Sequence, residues 1–288
     1  MGSDGRAAIP FKQVDVFTSI PFRGNPVAVV LDGDSLTTEQ MRAVANWTNL
    51  SETTFVCSPT SPDADYLLRI FTPRSELPFA GHPTIGSAWA VLEHGVVPRT
   101  PGVLVQECAK GLVAVRIERE ALSFALPEPS LSPLLAQDLE AACAALGVPT
   151  ESAGANAVVD VGAVWMTLQL PCADAVLELE PDMVAIAALG PGSTGVTVFG
   201  LYPEGGPAAL EVRSFAPGDG VPEDPVCGSG NGCVAAMVQR HGLLSGAGYV
   251  ASQGRRLGRS GRVEVTFSDD AIWVGGNAVT CIEGTLFV

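Results

Sequence analysis

The stretch PEDPVCGSGNGCVAAM, residues 222–237, brings an acid, a cysteine and several glycines to the start of an apolar segment. This pattern predicts a helix whose first turn offers unpaired backbone N–H groups and the positive end of the helix dipole. Gly228, Gly230 and Gly232 let a ligand approach that backbone closely, so the helix start suits an anion such as a carboxylate. The alternative is that the glycines only permit tight packing of the helix on a strand. A nucleotide site is disfavoured because GSGNG lacks the G-K-[ST] of a phosphate-binding loop.

A second candidate lies in NLSETTFV, residues 49–56, where Glu52 follows Ser51 and precedes a predicted strand. A carboxyl group among apolar neighbours tends to have a raised pKa, and such a pKa suits a proton shuttle at neutral pH. The alternative is that Glu52 is a solvent-facing or capping residue of a loop.

The third candidate is His82, one of three histidines in the chain. His94 and His241 each precede a glycine, where a cation complements a helix C-terminus. His82 instead stands at a helix start, where an imidazolium is disfavoured and a neutral imidazole can bind a substrate carboxylate or orient Asp224. The alternative is an ordinary loop histidine with satisfied hydrogen bonds.

An internal repeat relates two of these candidates. Residues 69–92 and 212–238 share R-x-F-x-P, a polar loop, and then P-x-x-G-S before an apolar segment. Alignment on P-x-x-G-S pairs His82 with Asp224, and it pairs Cys227 with Ile85. The simplest account is two similar halves, each with a strand, a loop and a buried helix, whose helix starts face one cleft.

The elements that position these loops follow from periodicity and capping signals. Thr37 and Gln40 have capping-box spacing before a predicted helix over 38–48, and further helices are predicted at about 84–94, 134–146 and 181–189. Residues 127–136, PEPSLSPLLA, are rich in proline and lack a strand pattern. We therefore predict a first domain over 1–126, joined by the last strand at about 277–288, and a second domain over 127–276.

Composition limits the classes of partner. The net charge is −15, and only Lys12 and Lys110 are lysines, so nucleic acid and anionic membranes are not expected partners. No apolar run is long enough to cross a membrane, and the N-terminus lacks a secretory pattern, so we expect a cytoplasmic protein. The seven cysteines are scattered without a C-x-x-C pair, which predicts neither a disulfide framework nor a metal site.

Several motifs together resemble one family. RGNPVAVV, NLSETTFV, RIFTPRSELPFAGHPTIGSAWAV, RSFAP, EDPVCGSG and SQGRRLGR occur in order from residue 24 to 259. As a set they are similar to the PhzF-like isomerases of phenazine biosynthesis, which share the diaminopimelate epimerase fold. The resemblance implies an α+β fold of two pseudo-symmetric halves, each a β-barrel-like sheet around a central helix, with the active site in the cleft.

The resemblance also implies a function: a cofactor-independent isomerase that moves a proton within a small carboxylate-bearing metabolite. The substrate is expected to be a dihydro-hydroxyanthranilate-like ring or another intermediate of antibiotic biosynthesis, and the protein a homodimer. Carried over by motif, the catalytic residues are Glu52, His82, Asp224 and Ser229. The residues expected to bind substrate are Asn25, Ser51, Gly81, Cys227 and Gly228.

Cys227 departs from the family pattern, which has threonine at this position of EDPxTGSA. A Cys-Gly-Ser-Gly stretch resembles the second catalytic cysteine of the two-thiol epimerases, whereas the aligned Ile85 cannot titrate. Three alternatives stay open at this point. In the first, Cys227 works with Glu52 in a racemase or epimerase. In the second, Cys227 has a lowered pKa at the helix start but no chemical role. In the third, the chain is a ligand-binding protein that has lost the chemistry.

Overall fold

The computed structural model describes residues 7–119, 121–190 and 192–288. Its strands are β1 (Ala8–Val16), β2 (Asn25–Val30), β3 (Thr53–Cys57), β4 (Tyr66–Phe71), β5 (Glu76–Leu77), β6 (Val103–Cys108), β7 (Gly111–Glu118), β8 (Ala121–Ala125), β9 (Ser130–Ser132), β10 (Asn156–Asp160), β11 (Val164–Gln169), β12 (Gly195–Leu201), β13 (Leu210–Ala216), β14 (Val221–Asp224), β15 (Gly248–Gln253), β16 (Gly261–Phe267) and β17 (Ile272–Phe287). The α-helices are α1 (Thr38–Thr48), α2 (Gly81–Glu93), α3 (Ala136–Leu146), α4 (Ala173–Leu177), α5 (Met183–Ala187) and α6 (Gly228–His241).

The chain divides into two compact units. Within the described residues, the first unit runs to Ala125 and is completed by Gly275–Val288, and the second unit is Leu126–Val274. Strand β17 therefore begins in the second unit and continues into the first. Among the helices of the described residues, none has the length and hydropathy needed to cross a membrane.

The first unit is a closed barrel around helix α2. Its ring of strands runs β1–β2–β3–β4–β6–β7–β8–β17 and returns to β1, with parallel pairing at β2–β3 and β4–β6. Residues 81–88 of α2 are buried inside the ring. A Cβ at Gly86 would lie 2.3 Å from Cγ1 of Val27, so glycine lets the helix lie this close to β2.

The second unit is built on the same plan around helix α6. Its strands pair in the order β9–β10–β11–β12–β13–β15–β16, and the short β14 pairs with β13. Helix α6 is buried over residues 230–238 and contacts β10, β11, β12 and β16. The shorter helices α3, α4 and α5 contribute to a second cluster of buried side chains, with Leu146, Val176, Ile186 and Phe215 among its members. The predicted α+β class, with a sheet around a central helix in each half, is confirmed.

The predicted helices differ from the structure mainly at their ends. Helix α1 has the predicted bounds, and Thr37 and Gln40 form both hydrogen bonds of the capping box. Helix α2 begins at Gly81, three residues before the predicted start, because Pro83 is tolerated in the first turn where no N–H is needed. Helix α5 is shorter than predicted, and α4 was not predicted.

The repeat appears in the structure as two equivalent ion pairs. Arg69 on β4 holds both carboxylate oxygens of Glu76 at 2.7 and 2.8 Å, and Arg213 on β13 holds those of Glu223 at 2.9 Å. Each guanidinium also lies over the phenylalanine ring two residues further along, at 5.1 and 4.9 Å from the ring centroid. Bidentate pairing and ring contact at the same place in both units support a duplicated strand–loop–helix unit.

The register of the repeat, however, was wrong. The arginine and glutamate of the ion pair are 7 residues apart in the first unit and 10 apart in the second. Three-residue connections, 78–80 and 225–227, then lead from β5 to α2 and from β14 to α6. Cys227 therefore corresponds to Ala80 and not to the buried Ile85, and Ser229 corresponds to His82. The P-x-x-G-S match misled because its proline lies inside α2 but ahead of α6.

Candidate active site

Glu52 lies in the connection between α1 and β3. Its backbone carbonyl accepts a hydrogen bond from the Ala28 amide at 3.4 Å, which ties the connection to β2. The side chain is only 15% exposed. Ser51, also predicted to bind substrate, precedes it and is half-buried. The parallel pairing of β2 with β3 thus fixes the place where this carboxylate leaves the backbone.

Glu52, His82 and Asn25 form a continuous row of polar side chains. Nε2 of His82 lies 3.3 Å from Oε2 of Glu52, and Nδ1 of His82 lies 3.3 Å from Nδ2 of Asn25. His82 is the second residue of α2 and Asn25 is the first residue of β2. The barrel thereby brings together three predicted site residues that are far apart in the sequence.

His82 is a neutral imidazole. Burial lowers its pKa to about 3, and a hydrogen bond to the Pro26 carbonyl opposes this effect only in part. A neutral ring carries one N–H and one lone pair. Because the ring N–H bonds the Pro26 carbonyl, Nε2 is left as the lone-pair nitrogen that faces Glu52, and it can accept a hydrogen bond only from the protonated acid.

The start of α2 offers backbone amides beside this row. Ala80 is the N-cap residue and supplies no capping side chain, and Pro83 has no N–H. The first amide of α2 that makes a helical hydrogen bond is that of Thr84, which donates to the Ala80 carbonyl at 3.2 Å. The amides of Gly81 and His82 precede that bond, and such amides at a helix start can bind a carboxylate.

The second unit places Asp224, Gly228 and Ser229 around the start of α6. Asp224 ends β14, and its Oδ1 accepts a hydrogen bond from the Val226 amide at 3.1 Å. Burial raises the pKa of Asp224 to about 6, although hydrogen bonds from the Cys227 thiol and the Val226 amide oppose the rise. This carboxyl group therefore titrates close to neutral pH, the range that general acid–base chemistry uses.

Cys227 is the N-cap residue of α6. Its Sγ accepts a hydrogen bond from the Gly230 amide at 3.2 Å, and the residue is buried. Burial, followed by the charge of Asp224, raises the pKa of the thiol well above its ordinary value. The alternative in which the helix start lowers this pKa was wrong, because desolvation and the charge of Asp224 outweigh the hydrogen bond that the Gly230 amide donates to Sγ. Cys227 is a neutral thiol at physiological pH.

Two residues that the sequence analysis did not single out fix the geometry of this loop. Gln253 accepts hydrogen bonds at Oε1 from the Cys227 amide at 3.1 Å and from Nδ2 of Asn231 at 2.7 Å, and its Nε2 donates to the Asp224 carbonyl at 3.1 Å. Asn231 also donates to the Cys227 carbonyl at 2.9 Å. Both side chains are fully buried. Two features of the sequence could have indicated them. Asn231 is a polar residue within a glycine-rich helix start, and Gln253 belongs to the motif SQGRRLGR.

The sequence profile of the PhzC-PhzF family, described as "Phenazine biosynthesis-like protein", matches residues 14–284. The chain belongs to this family. The resemblance found in the sequence is thereby confirmed, and it covers nearly the whole chain.

Relatives and a solved structure agree with this assignment. The chain is 42% identical to "Antisense-enhancing sequence 1" of Schizosaccharomyces pombe, over 96% of this chain and 98% of that protein. It is 35% identical to "Trans-2,3-dihydro-3-hydroxyanthranilate isomerase" of Pseudomonas fluorescens, over 95% and 97%. The fold is shared with the PhzF-family phenazine biosynthesis protein of Bacillus anthracis, with a TM-score of 0.85 and 23% identity over 98% and 100% of the two chains. The PhzC-PhzF chain described here is an isomerase.

Proposed function

We propose that this isomerase moves a proton within a small carboxylate-bearing molecule and that Glu52 is the acid–base group. The observation that supports the proposal most directly is the contact between Glu52 and His82 at 3.3 Å, with both side chains largely buried. A carboxylate in this setting is shielded from bulk water, which favours transfer of a substrate proton over exchange with solvent.

The proposed reaction needs one proton carrier and one site for developing charge. Glu52 removes a proton from one substrate carbon, and the electron pair moves into the conjugated system towards the carboxylate. Glu52 then returns the proton to a second carbon on the same face, so that the product is an isomer. His82, being neutral, lies beside Glu52 during the two steps without adding a charge, and its Nε2 lone pair can accept a hydrogen bond when Glu52 is protonated. The helix start at Gly81 stabilises the negative charge of the substrate.

The relatives and the helix start support a proposal for the substrate class. The relative from Pseudomonas fluorescens is named for trans-2,3-dihydro-3-hydroxyanthranilate, a ring with a carboxylate, and it aligns over nearly its whole length. We propose this compound, or an unsaturated amino-acid-derived carboxylate, as the substrate, without a cofactor. Asp224 and Ser229, together with the amide of Gly228, are proposed to act on the same substrate.

Replacement of Glu52 tests this function. Glu52→Gln keeps the shape of the side chain but cannot accept a proton, so turnover of trans-2,3-dihydro-3-hydroxyanthranilate should fall by roughly 100-fold or more. Glu118→Gln, which changes an exposed carboxylate of the same unit, should keep wild-type turnover. Product formation followed by ultraviolet absorbance gives kcat for each variant.

Full activity of Glu52→Gln would refute the role of this carboxylate. The same reaction in deuterium oxide shows how far the transferred proton exchanges with solvent. Transfer on one face can return the original proton, so a low deuterium content of the product agrees with the shuttle. The activity of Glu52→Gln is therefore the deciding measurement.

A racemase or epimerase that uses Cys227 with Glu52 is the weaker candidate. It is weaker because the Cys227 thiol is neutral, and a two-thiol reaction is excluded because the equivalent residue of the first unit, Ala80, cannot titrate. A two-base reaction of this kind requires that Cys227→Ser abolish turnover and that the wild-type product be racemic.

A further inference from the structure

The side chain of Trp165 lies against the hydroxyl of Ser229. Trp165 belongs to β11 and is 2% exposed, and its Nε1 lies 3.0 Å from Oγ of Ser229, the second residue of α6. Ser229 itself is half-buried. The contact joins two elements of the second unit, so its geometry is set by the packing of α6 on β11.

The direction of this hydrogen bond is fixed by chemistry. An indole N–H can only donate, so the Ser229 oxygen is the acceptor. The single proton of the hydroxyl must then point away from the indole. The other side-chain contact of Ser229 in the described residues is Sγ of Cys227 at 3.5 Å.

Cys227 competes weakly for that proton. Sulfur is a poor acceptor, and Sγ already accepts the Gly230 amide at 3.2 Å. The thiol proton is used elsewhere, because the Cys227 side chain hydrogen-bonds the Asp224 carboxyl group. In this structure the Ser229 hydroxyl therefore donates to Sγ of Cys227, a weak acceptor that a carboxylate beside the first turn of α6 would replace.

We propose that Trp165 is a positioning residue of the isomerase: it holds the Ser229 hydroxyl in the orientation that donates to the substrate carboxylate. This inference rests on the proposed function, in which Ser229 contacts the substrate. It adds a residue that no motif of the sequence indicated, and it assigns to the indole N–H a role that a phenylalanine of similar shape cannot fill.

The expected effect is a loss of affinity that depends on Ser229. A hydrogen bond to a charged group corresponds to about a tenfold change in affinity or more, so Ser229→Ala should weaken carboxylate binding by at least that factor. Trp165→Phe keeps an aromatic ring on β11 but removes the donor. The hydroxyl of Ser229 then loses the hydrogen bond that orients it, and we expect carboxylate binding to weaken by roughly 3- to 10-fold.

A double-mutant cycle separates this role from a general packing effect. The probe is anthranilate, a stable aromatic carboxylate, and its Kd is measured by titration calorimetry for the wild type, Trp165→Phe, Ser229→Ala and the double variant. In the Ser229→Ala background, Trp165→Phe should change the Kd less than about twofold. Trp273→Phe is the matched control, because its indole also donates to a serine, Oγ of Ser268 at 3.3 Å. It should leave the Kd unchanged.

Additive effects of the two substitutions would overturn the proposal, as would an unchanged Kd for Trp165→Phe or Ser229→Ala. Absence of saturable anthranilate binding by the wild type would overturn it as well. The proposed function fails separately: full turnover by Glu52→Gln refutes it whatever the cycle shows, and an inactive Glu52→Gln with an additive cycle refutes only the positioning role.

A second measurement needs no tryptophan variant. The chain contains four tryptophans, so 5-fluorotryptophan labelling gives a fluorine spectrum of four signals. One signal should shift on Ser229→Ala, and the same signal should respond to anthranilate in the wild type. A spectrum in which no signal responds to both changes contradicts the proposal, even where Trp165→Phe does not fold.

Discussion

Lowering the pH from 7 to 5 should reduce the free energy of unfolding more in the wild type than in a His82→Gln variant. Burial holds the pKa of His82 at about 3, whereas a histidine in an unfolded chain has a pKa of about 6.5. Between these two values the unfolded state binds a proton that the folded state does not. Stability contributed by the neutral ring is therefore complete above pH 6.5 and is lost progressively as the pH falls towards 3.

The size of this loss of stability follows from the distance between the pH of the measurement and the unfolded-state pKa of the histidine. Each pH unit below about 6.5 costs about 1.4 kcal/mol, so at pH 5 the loss through His82 is about 2 kcal/mol. Asp224 acts in the opposite sense, because its folded pKa is raised to about 6 and the folded state takes up its proton first as the pH falls. That contribution is present in both proteins, so it cancels when the two pH dependences are subtracted.

Urea unfolding at pH 7 and pH 5, followed by circular dichroism and by tryptophan fluorescence, gives the free energy of unfolding of both proteins at both pH values. The wild type should lose about 2 kcal/mol more than His82→Gln between the two pH values. In parallel, the ring signals of the three histidines are followed by NMR. The signal that is missing from His82→Gln should keep its position from pH 8 to pH 5.

Titration of that signal near pH 6.5, or equal pH dependences for the two proteins, would refute the reasoning. Either result would mean that the Glu52 carboxylate, 3.3 Å from Nε2, stabilises an imidazolium against the cost of burial. The proposed mechanism would then begin from a charged pair and not from a neutral ring.

Three further substitutions test the fold that carries the site. Arg213→Ala should lower the free energy of unfolding by roughly 3 kcal/mol or more, because both members of its ion pair are buried. Arg69→Ala should lower it by only about 1 kcal/mol, because its ion pair is more exposed. Equal losses of the two variants in urea unfolding would contradict this reasoning. Gly86→Ala should lower stability by about 1 to 3 kcal/mol, because its Cβ would lie 2.3 Å from Cγ1 of Val27; an unchanged thermal midpoint would contradict the close approach of α2 to β2.

The sequence was informative wherever a local rule applies. Helix α1 was predicted with its bounds because Thr37 and Gln40 satisfy its first amides without help from the rest of the chain. The R-x-F spacing located both arginines of the repeated ion pair, since residues two apart share one face of a strand. Motif order and residue type were enough to name Glu52 and His82 as candidates and to identify the family.

Other features depend on contacts between distant parts of the chain. The equivalence of Cys227 with Ala80 followed only from the strand and helix ends, because the proline of the shared P-x-x-G-S motif lies inside α2 but ahead of α6. The contact of Glu52 with His82 exists because β2 pairs with β3 beside α2. The hydrogen bond of Trp165 to Ser229 likewise requires β11 to pack on α6.

By itself, then, the sequence determined the fold class, the family and the candidate acid–base residue, because periodicity, capping and motif order are properties of neighbouring residues. The tertiary structure decided which of these groups are charged. Cys227 and His82 both stand at helix starts, yet burial raises the pKa of the thiol and lowers that of the imidazole. In both cases the charged form loses the solvation by water that stabilises it, and that loss is set by the surrounding barrel and not by the adjacent residues.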